Sequence, residues 1–461
     1  MTALLLLCLL GFLVVGCLSS RHARSRDEFF VADRRGSAPA IGGSLLATVV
    51  GGSATIGVAG LAYDRGLTAV WWSLVGAIGL VTLGLFLAPR VRSFGAYTLP
   101  GLAGSLYGPR VRMVVALLVA VAWMGVVSGQ IVAASRVLFA FGSGSSAVWT
   151  VIFTLVLMSY AVVGGQKAVI RTDLLQAVAI VAGLAVALAA LAVRAGGASD
   201  WLAATPPGSL DFPVSEAFGW ADVGRMLVLV GSVYLVGPDI YTRLFSARDA
   251  RTARQATFGA AALVVPIAFV VAGLGLAARI LMPGLVPDQA LPWLAVHALP
   301  PFASFLLLVA MLAALMSSAD STLLGQATIL ADDVLAPVLH LDERHVVTAA
   351  RACIVVLALL SVLLALSLQG VIASLLFAYS IFTSGVVGPL LLGLVGGRLR
   401  PDGAGALAGI AAGGACGLLG ATPWLDIPLR QHLPFAGLVL SFALPLLLTH
   451  WRHRRSGRAR A

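Results

Sequence analysis

Charge is scarce in this 461-residue chain: 11% of its residues are Asp, Glu, Lys or Arg, 60% are hydrophobic, and mean hydropathy is +1.00. No water-soluble core could hide so much apolar surface, so lipid must be the solvent. Cysteine is also sparse. Cys8, Cys17, Cys353 and Cys416 all fall in apolar stretches without metal-ligand spacing, and they read as small buried side chains that are silent on redox compartment. None of the 7 histidines lies in the middle of an apolar stretch, which excludes a histidine proton relay or a haem ligand. There is no GxxxxGK[ST] loop, and the longest loop, about 194–222, is too short for a soluble domain. ATP-driven transport, kinase and receiver functions therefore have no support. No catalytic residue is nominated and an enzyme is not expected. Of the 30 basic residues Lys167 alone is a lysine, a bias typical of GC-rich bacterial coding.

What the chain has in abundance is long apolar runs. A hydrocarbon core about 30 Å thick takes roughly 20 residues of helix. About thirteen such spans are read, near 2–19, 38–62, 68–88, 113–140, 147–163, 174–193, 223–241, 257–281, 301–327, 345–368, 371–395, 403–421 and 434–450. The runs do not alternate in polarity, which excludes a membrane β-barrel. A net charge of +11 would suit nucleic acid if the basic residues shared one surface. They gather instead in alternate loops, at Arg21 to Arg35, Arg90 to Arg112, Arg243 to Arg254 and Arg452 to Arg460, while the intervening loops hold Arg65, Arg194 and Arg430. The positive-inside rule then puts the N-terminus outside and the C-terminus inside, which needs an odd number of spans. The excess charge sets topology, and no nucleic-acid partner is expected. The first run ends at Val14-Val15-Gly16-Cys17, as a lipoprotein signal would. A signal carries its positive charge ahead of the run, whereas here the basic cluster follows at Arg21, so 1–19 is read as a retained helix.

Two spans are interrupted by helix breakers. In the second, Leu46-Ala47-Thr48-Val49-Val50 runs into Gly51-Gly52-Ser53; in the seventh, Gly231-Ser232-Val233-Tyr234 leads to Gly237-Pro238. Broken backbone at membrane depth is tolerated only around a cavity. The breaks are five spans apart, as expected of two five-helix repeats, and an odd repeat length makes the second inverted relative to the first. Glycines at these places serve close helix packing equally well.

Polar residues lie deep in the ninth span, where Ser317, Ser318, Asp320 and Ser321 follow Ala314. Ala314, Ser317 and Ser318 stand at i, i+3 and i+4, so one carbonyl and two hydroxyls face a common point. A small hard cation wants several such oxygens, and carbonyls of Ala47 and Val50 in the broken span would complete the shell. The competing reading is serine hydroxyls bonded back to their own helix. Asp320 is costly at that depth and is a functional candidate. Asp173, after Arg171-Thr172, and Asp239, four residues before Arg243, read as interfacial paired ions. Thr172 is a candidate cap for the helix that follows Gly164-Gly165.

Four segments in order resemble the sodium/solute symporter family: Phe29-Phe30-Val31-Ala32 with Arg34-Arg35-Gly36, Gly164-Gly165 through Asp173 and Gln176, Pro238 through Arg243, and Met316 through Ser321. The resemblance covers nearly the whole chain. It implies an all-α polytopic LeuT-type fold in one domain, 1–461. That domain would comprise an extra helix at 1–19, a first repeat at 38–193, an inverted repeat at 223–395 and two C-terminal helices in 403–450. It also implies a sodium site of Ala47, Val50, Ala314, Ser317 and Ser318, and a solute site lined by Tyr234, Pro238, Tyr379 and Trp71. Asp173 and Asp320 are then expected on the ion path. The chain departs from some members, which carry an aspartate where Val49 stands, and Arg171 takes a place where an aromatic is frequent.

The expected function is sodium-coupled symport of a small organic solute by alternating access in a bacterial cytoplasmic membrane. Its partners would be sodium, the solute and lipid, with no organic cofactor. Two alternatives stand beside it: a proton-coupled transporter with Asp320 as carrier, and a sensor or scaffold that keeps the fold without coupled flux. Neither the solute nor the oligomeric state is written in the sequence; Arg136 in span 113–140 either meets an anion or snorkels to the interface.

Overall fold

The computed structural model describes residues 7, 10, 11, 14, 26–142, 145–163, 165–194, 204–395, 397 and 400–458. The first expected span, 2–19, lies almost entirely outside them, as do Cys8, Cys17 and Gly164. Within them the backbone is helical, because lipid offers no partner for a bare amide or carbonyl. The helices used below are α1 (Ala38–Val49), α2 (Val58–Arg65), α3 (Trp71–Thr82), α4 (Pro109–Phe141), α5 (Ser146–Val163), α6 (Gln166–Arg194) and α7 (Trp220–Met226). They continue with α8 (Pro238–Ser246), α9 (Ala250–Leu281), α10 (Pro301–Ile329), α11 (Glu343–Leu368), α12 (Val371–Phe382), α13 (Gly403–Ala421) and α14 (Leu433–Arg458).

Ten helical stretches among the described residues are long and apolar enough to cross a membrane. One of them, Ser53–Ser93, carries the end of the expected span 38–62 and all of 68–88, divided at Gly66, while Ala38–Val49 is a separate shorter helix. There φ is +81°, and an added Cβ would strike the Ser209 backbone, so glycine is required. Starts follow the sequence. Pro109, Pro238 and Pro301 sit at first helical positions, where a missing N–H costs nothing. Asp249 and Asp342 accept from the amides of Thr252 and His345, and those backbone bonds hold both carboxyls below the usual range. Thr172 is no cap: α6 already begins at Gln166, and the threonine hydroxyl bonds back to Ala168 and Val169.

Lipid-facing and buried helices separate cleanly. On α11 the exposed residues Val356, Leu359, Leu363 and Leu366 form one stripe at helical spacing. On α10 every residue from 310 to 324 is buried, so this helix is enclosed on all sides. It packs against α4 and α6, and α1 packs between α6, α9 and α10. Small residues permit these approaches. A Cβ on Gly275 of α9 would fall onto the Ala59 carbonyl oxygen of α2, whereas one on Gly273 would meet nothing within 4 Å. Near the arginine-rich end, Arg112 of α4 meets Asp333 at 2.5 Å and Asp332 at 2.9 Å in the turn after α10, and both carboxylates are buried.

Two outcomes follow for stability in detergent. Gly275→Ala lowers the melting temperature, by an overpacking cost of about 1–3 kcal/mol, while Gly273→Ala leaves it unchanged or raised. Arg112→Leu, which leaves two buried carboxylates without their cation, destabilises the protein by at least about 2 kcal/mol more than Arg452→Leu, whose pair with Asp402 is exposed.

Candidate ion and solute site

The helix begun at Ala38 stops at Val49, and Val50 leaves helical geometry at φ −88°, ψ 53°. The regular helix lapses over residues 50–52, Gly52 already has helical dihedrals, and a π turn over Ser53–Gly57 restarts the helix. Local sequence explains the break through its neighbours. A Cβ on Gly51 would land on the Ser318 hydroxyl, and one on Gly52 would press the Gln130 carbonyl oxygen and Leu315, each at 2.8 Å. The freed groups find partners. The Gly52 amide donates to Gln130 Oε1 at 2.8 Å; Ser317 Oγ donates to Ala47 O at 2.9 Å and Ala314 O at 3.1 Å. Ser318 Oγ reaches Thr48 O at 2.8 Å and Ala47 O at 3.3 Å. Two hydroxyls and three carbonyls thus converge, fully buried, between α1 and α10. Ser317 does bond back to its own helix, through Ala314, yet both hydroxyls also cross to the broken one. The Thr48 carbonyl and the Gln130 amide were not among the expected groups; Val50 sits at the break itself.

The second break has the same character. After the π turn Leu227–Gly231 a short helix, Val233–Val236, ends at Gly237, which is extended at ψ 134° ahead of Pro238. Tyr241 donates to Leu235 O at 3.0 Å and Thr383 to Leu229 O at 2.9 Å, closing the carbonyls the break leaves open. Between the two breaks lies a cavity of about 30 Å³, with Tyr234, Tyr379, Trp123, Gln130 and Asp239 among its walls. Thr48, Gly51 and Ser318 line it too, so it shares wall residues with the hydroxyl pair. Tyr234 and Tyr379, both expected here, share a hydrogen bond. Pro238 begins α8 just behind. Trp71 stands elsewhere: its indole donates to Pro213 O at 2.7 Å and stacks on Phe212. The adjacent Trp72 is the one that stacks on Tyr379, at 6.3 Å. Neighbours on a helix point about 100° apart, and choosing between them needs the packing.

The expectation of two interfacial ion pairs is corrected. Asp173 and Arg243 are both fully buried and pair with each other, at 3.4 Å. Ser44 of α1 joins them, donating to Asp173 Oδ2 at 2.5 Å and accepting from Arg243 Nε at 3.2 Å. Arg243 hydrogen-bonds Asp239 through the main-chain oxygen, at 3.0 Å, and acts on its carboxylate across space. The Asp239 carboxylate therefore lines the cavity instead of pairing one turn along its helix. Ser44, Asp173 and Arg243 come from three distant helices, so no local spacing announces them; the only signal was ionisable residues flanking apolar runs. Asp320 is wholly buried and accepts from the Ser321 amide.

The chain resembles known proteins along nearly all of this architecture. It is 28% identical to the sodium/pantothenate symporter of Escherichia coli over 91% of this chain and 89% of that one. It is 27% identical to the high-affinity choline transporter 1 of Caenorhabditis elegans over 85% and 70%, respectively. Its fold matches that of a Na+-coupled sialic acid symporter solved in a substrate-bound outward-open state, with a TM-score of 0.83, 19% identity and 97% of each chain covered. It also matches the fold of Mhp1, a nucleobase-cation-symport-1 family transporter, at a TM-score of 0.62 with 14% identity over 93% and 95%. A model of the sodium:solute symporter family matches residues 29–413. This chain, an integral membrane protein with paired helix breaks around a central cavity, belongs to the sodium:solute symporter family.

Proposed function

We propose that the protein couples inward movement of sodium to uptake of a small organic solute across a bacterial cytoplasmic membrane, with its N-terminus outside and C-terminus inside. In this reading residues 1–461 form one transporter domain. Segments 38–193 and 223–395 are its inverted repeats, and 1–19 and 403–450 are additions.

The observation that carries the reading is the meeting of the Ser317 and Ser318 hydroxyls with the carbonyls of Ala47 and Thr48 at the break in α1. Sodium, a small hard cation, suits an all-oxygen shell. Entering here, it takes the hydroxyl lone pairs and the carbonyls of Ala47, Val50 and Ala314 as ligands. The hydroxyls then turn their protons away from the oxygens they now face. Asp173 and Asp320 stand along the ion path, both fully buried, Asp320 on the helix of the hydroxyl pair and Asp173, paired with Arg243, on the helix packed against it.

Coupling follows from shared walls. Thr48, Gly51 and Ser318 border both the hydroxyl pair and the central cavity. Sodium that fixes them orders half of the solute site in advance, and solute that fixes them orders the ion site. Each ligand therefore tightens the other reciprocally. Rocking of one group of helices against the other then exposes the shared centre to the inside.

Sodium-driven uptake into proteoliposomes checks the assignment. Ser317→Ala and Ser318→Ala each weaken apparent sodium affinity by about tenfold or more, the loss of one charge-assisted contact, while melting without sodium changes little. Gly51→Ala, whose Cβ displaces the Ser318 hydroxyl, gives the same loss. Sodium dependence unchanged in all three variants removes the ion site from this position.

A further inference from the structure

The central cavity contains a carboxyl group that the sodium reading does not use. Among the described residues lining it, Asp239 brings the one carboxyl group and no basic side chain is present; the other side chains are aromatic, aliphatic, hydroxyl or amide. Its Oδ1 is buried with no hydrogen-bond partner among the described residues. The cation one turn away, Arg243, is committed elsewhere: Nε to Ser44, one terminal nitrogen to Asp173, and the other to the Asp239 main-chain oxygen. Arg243 attracts the carboxylate across space, and the Trp123 indole and the amides of Asp239 and Ile240 face it, but none of these places a positive charge in the cavity. Around the same space stand the rings of Trp123, Tyr234 and Tyr379, and Trp72 backs Tyr379.

We propose that the solute carries an ammonium or methylated ammonium group, held by the Asp239 carboxylate against the aromatic faces of Trp123, Tyr234 and Tyr379. The inference rests on the transporter reading above and names its substrate class. A buried carboxylate is costly without a counter-charge; among the described residues the nearby cation, Arg243, lies outside the cavity walls and is hydrogen-bonded to other groups. An anionic head group would be repelled there, and a neutral one would leave the carboxylate uncompensated. A cation satisfies it, and aromatic faces add the attraction of their negative quadrupoles for a desolvated cation. The cavity of about 30 Å³ is of the order of a water molecule, so a methylated head group enters it only as the surrounding side chains and the two breaks give way. Placement also matters for coupling. Ser318 borders both the ion site and this cavity, so sodium and a cationic head would repel each other across it. Asp239 offsets that repulsion and lets both bind together.

The test uses the full-length purified protein and its melting temperature, with and without sodium. The probes are tetramethylammonium, choline, glycine betaine and proline, set against glucose, pantothenate and 3,3-dimethylbutan-1-ol, the uncharged isostere of choline. At least one ammonium probe raises the melting temperature in a sodium-dependent way, and the uncharged and anionic probes do not. Asp239→Asn weakens that probe's apparent affinity by at least about tenfold yet keeps the shift produced by sodium alone, which also reports that the variant folds. Asp239→Glu keeps part of the response. The proposal is overturned if no ammonium probe acts, if choline and 3,3-dimethylbutan-1-ol act equally, or if Asp239→Asn binds the ammonium probe as wild type does. Should the sodium-only shift survive while ammonium probes fail, the substrate class is wrong and the sodium site stands. If ammonium probes bind through Asp239 but sodium gives no shift, the reverse holds.

Discussion

A helix interrupted inside a membrane strands carbonyls and amides where no water can reach them, and only neighbouring protein can satisfy them. The centre of this molecule is organised by that constraint. The interruption after Val49 is closed from α10 by Ser317 and Ser318 and from α4 by Gln130. The one before Pro238 is closed by Tyr241 and, from the turn after α12, by Thr383. Because these partners sit on four different helices, the breaks and the bundle hold one another in place. Hydroxyls and carbonyls gathered for this purpose form a dense shell of oxygen, which is also what a hard cation requires.

Buried charge plays the second part. Asp173 and Arg243 have no exposure, so each depends on the other and on Ser44. Removing one would strand the other in low dielectric. The triad ties α1, α6 and α8 together just beneath the cavity. Nearby, Gly36 exchanges main-chain hydrogen bonds with Ser246 and Arg248, at 3.0 Å each, so the chain entering α1 is fastened to the chain leaving α8. Phe29, Phe30 and Val31 are buried beside it, and Lys167 reaches Glu28 at 2.9 Å. The segments before one broken helix and after the other therefore cannot move independently. Two breaks coupled in this way suit a device that opens and closes as a unit.

Legibility of the site was uneven, for physical reasons. The serine pair and Asp320 could be read because polar residues in an apolar helix stand out against their neighbours. The breaks were legible as candidates because Gly-Gly and Gly-Pro weaken a helix, although glycines that serve close packing look the same in sequence. Gln130 and Ser44 were not visible, since one amide or hydroxyl in a long span is unremarkable until its partner across the bundle is known. Trp71 and Trp72 are adjacent, and only packing tells which of them backs Tyr379 and which turns to the loop at Phe212. Asp239 was assigned to Arg243 by their i, i+4 spacing, yet that arginine is drawn away by Asp173 from another helix.

By itself the sequence determined the solvent, the helices and the location of the interruptions. Those properties depend on composition and on residues close together in the chain, through transfer of apolar surface to lipid and through the local geometry of glycine and proline. The tertiary structure alone decided which carbonyl meets which hydroxyl, which acid pairs with the buried arginine, and which acid is left facing the cavity. Those outcomes are contests between partners 70 or more residues apart, such as Asp173 and Arg243 or Thr48 and Ser318, and distance in space settles them.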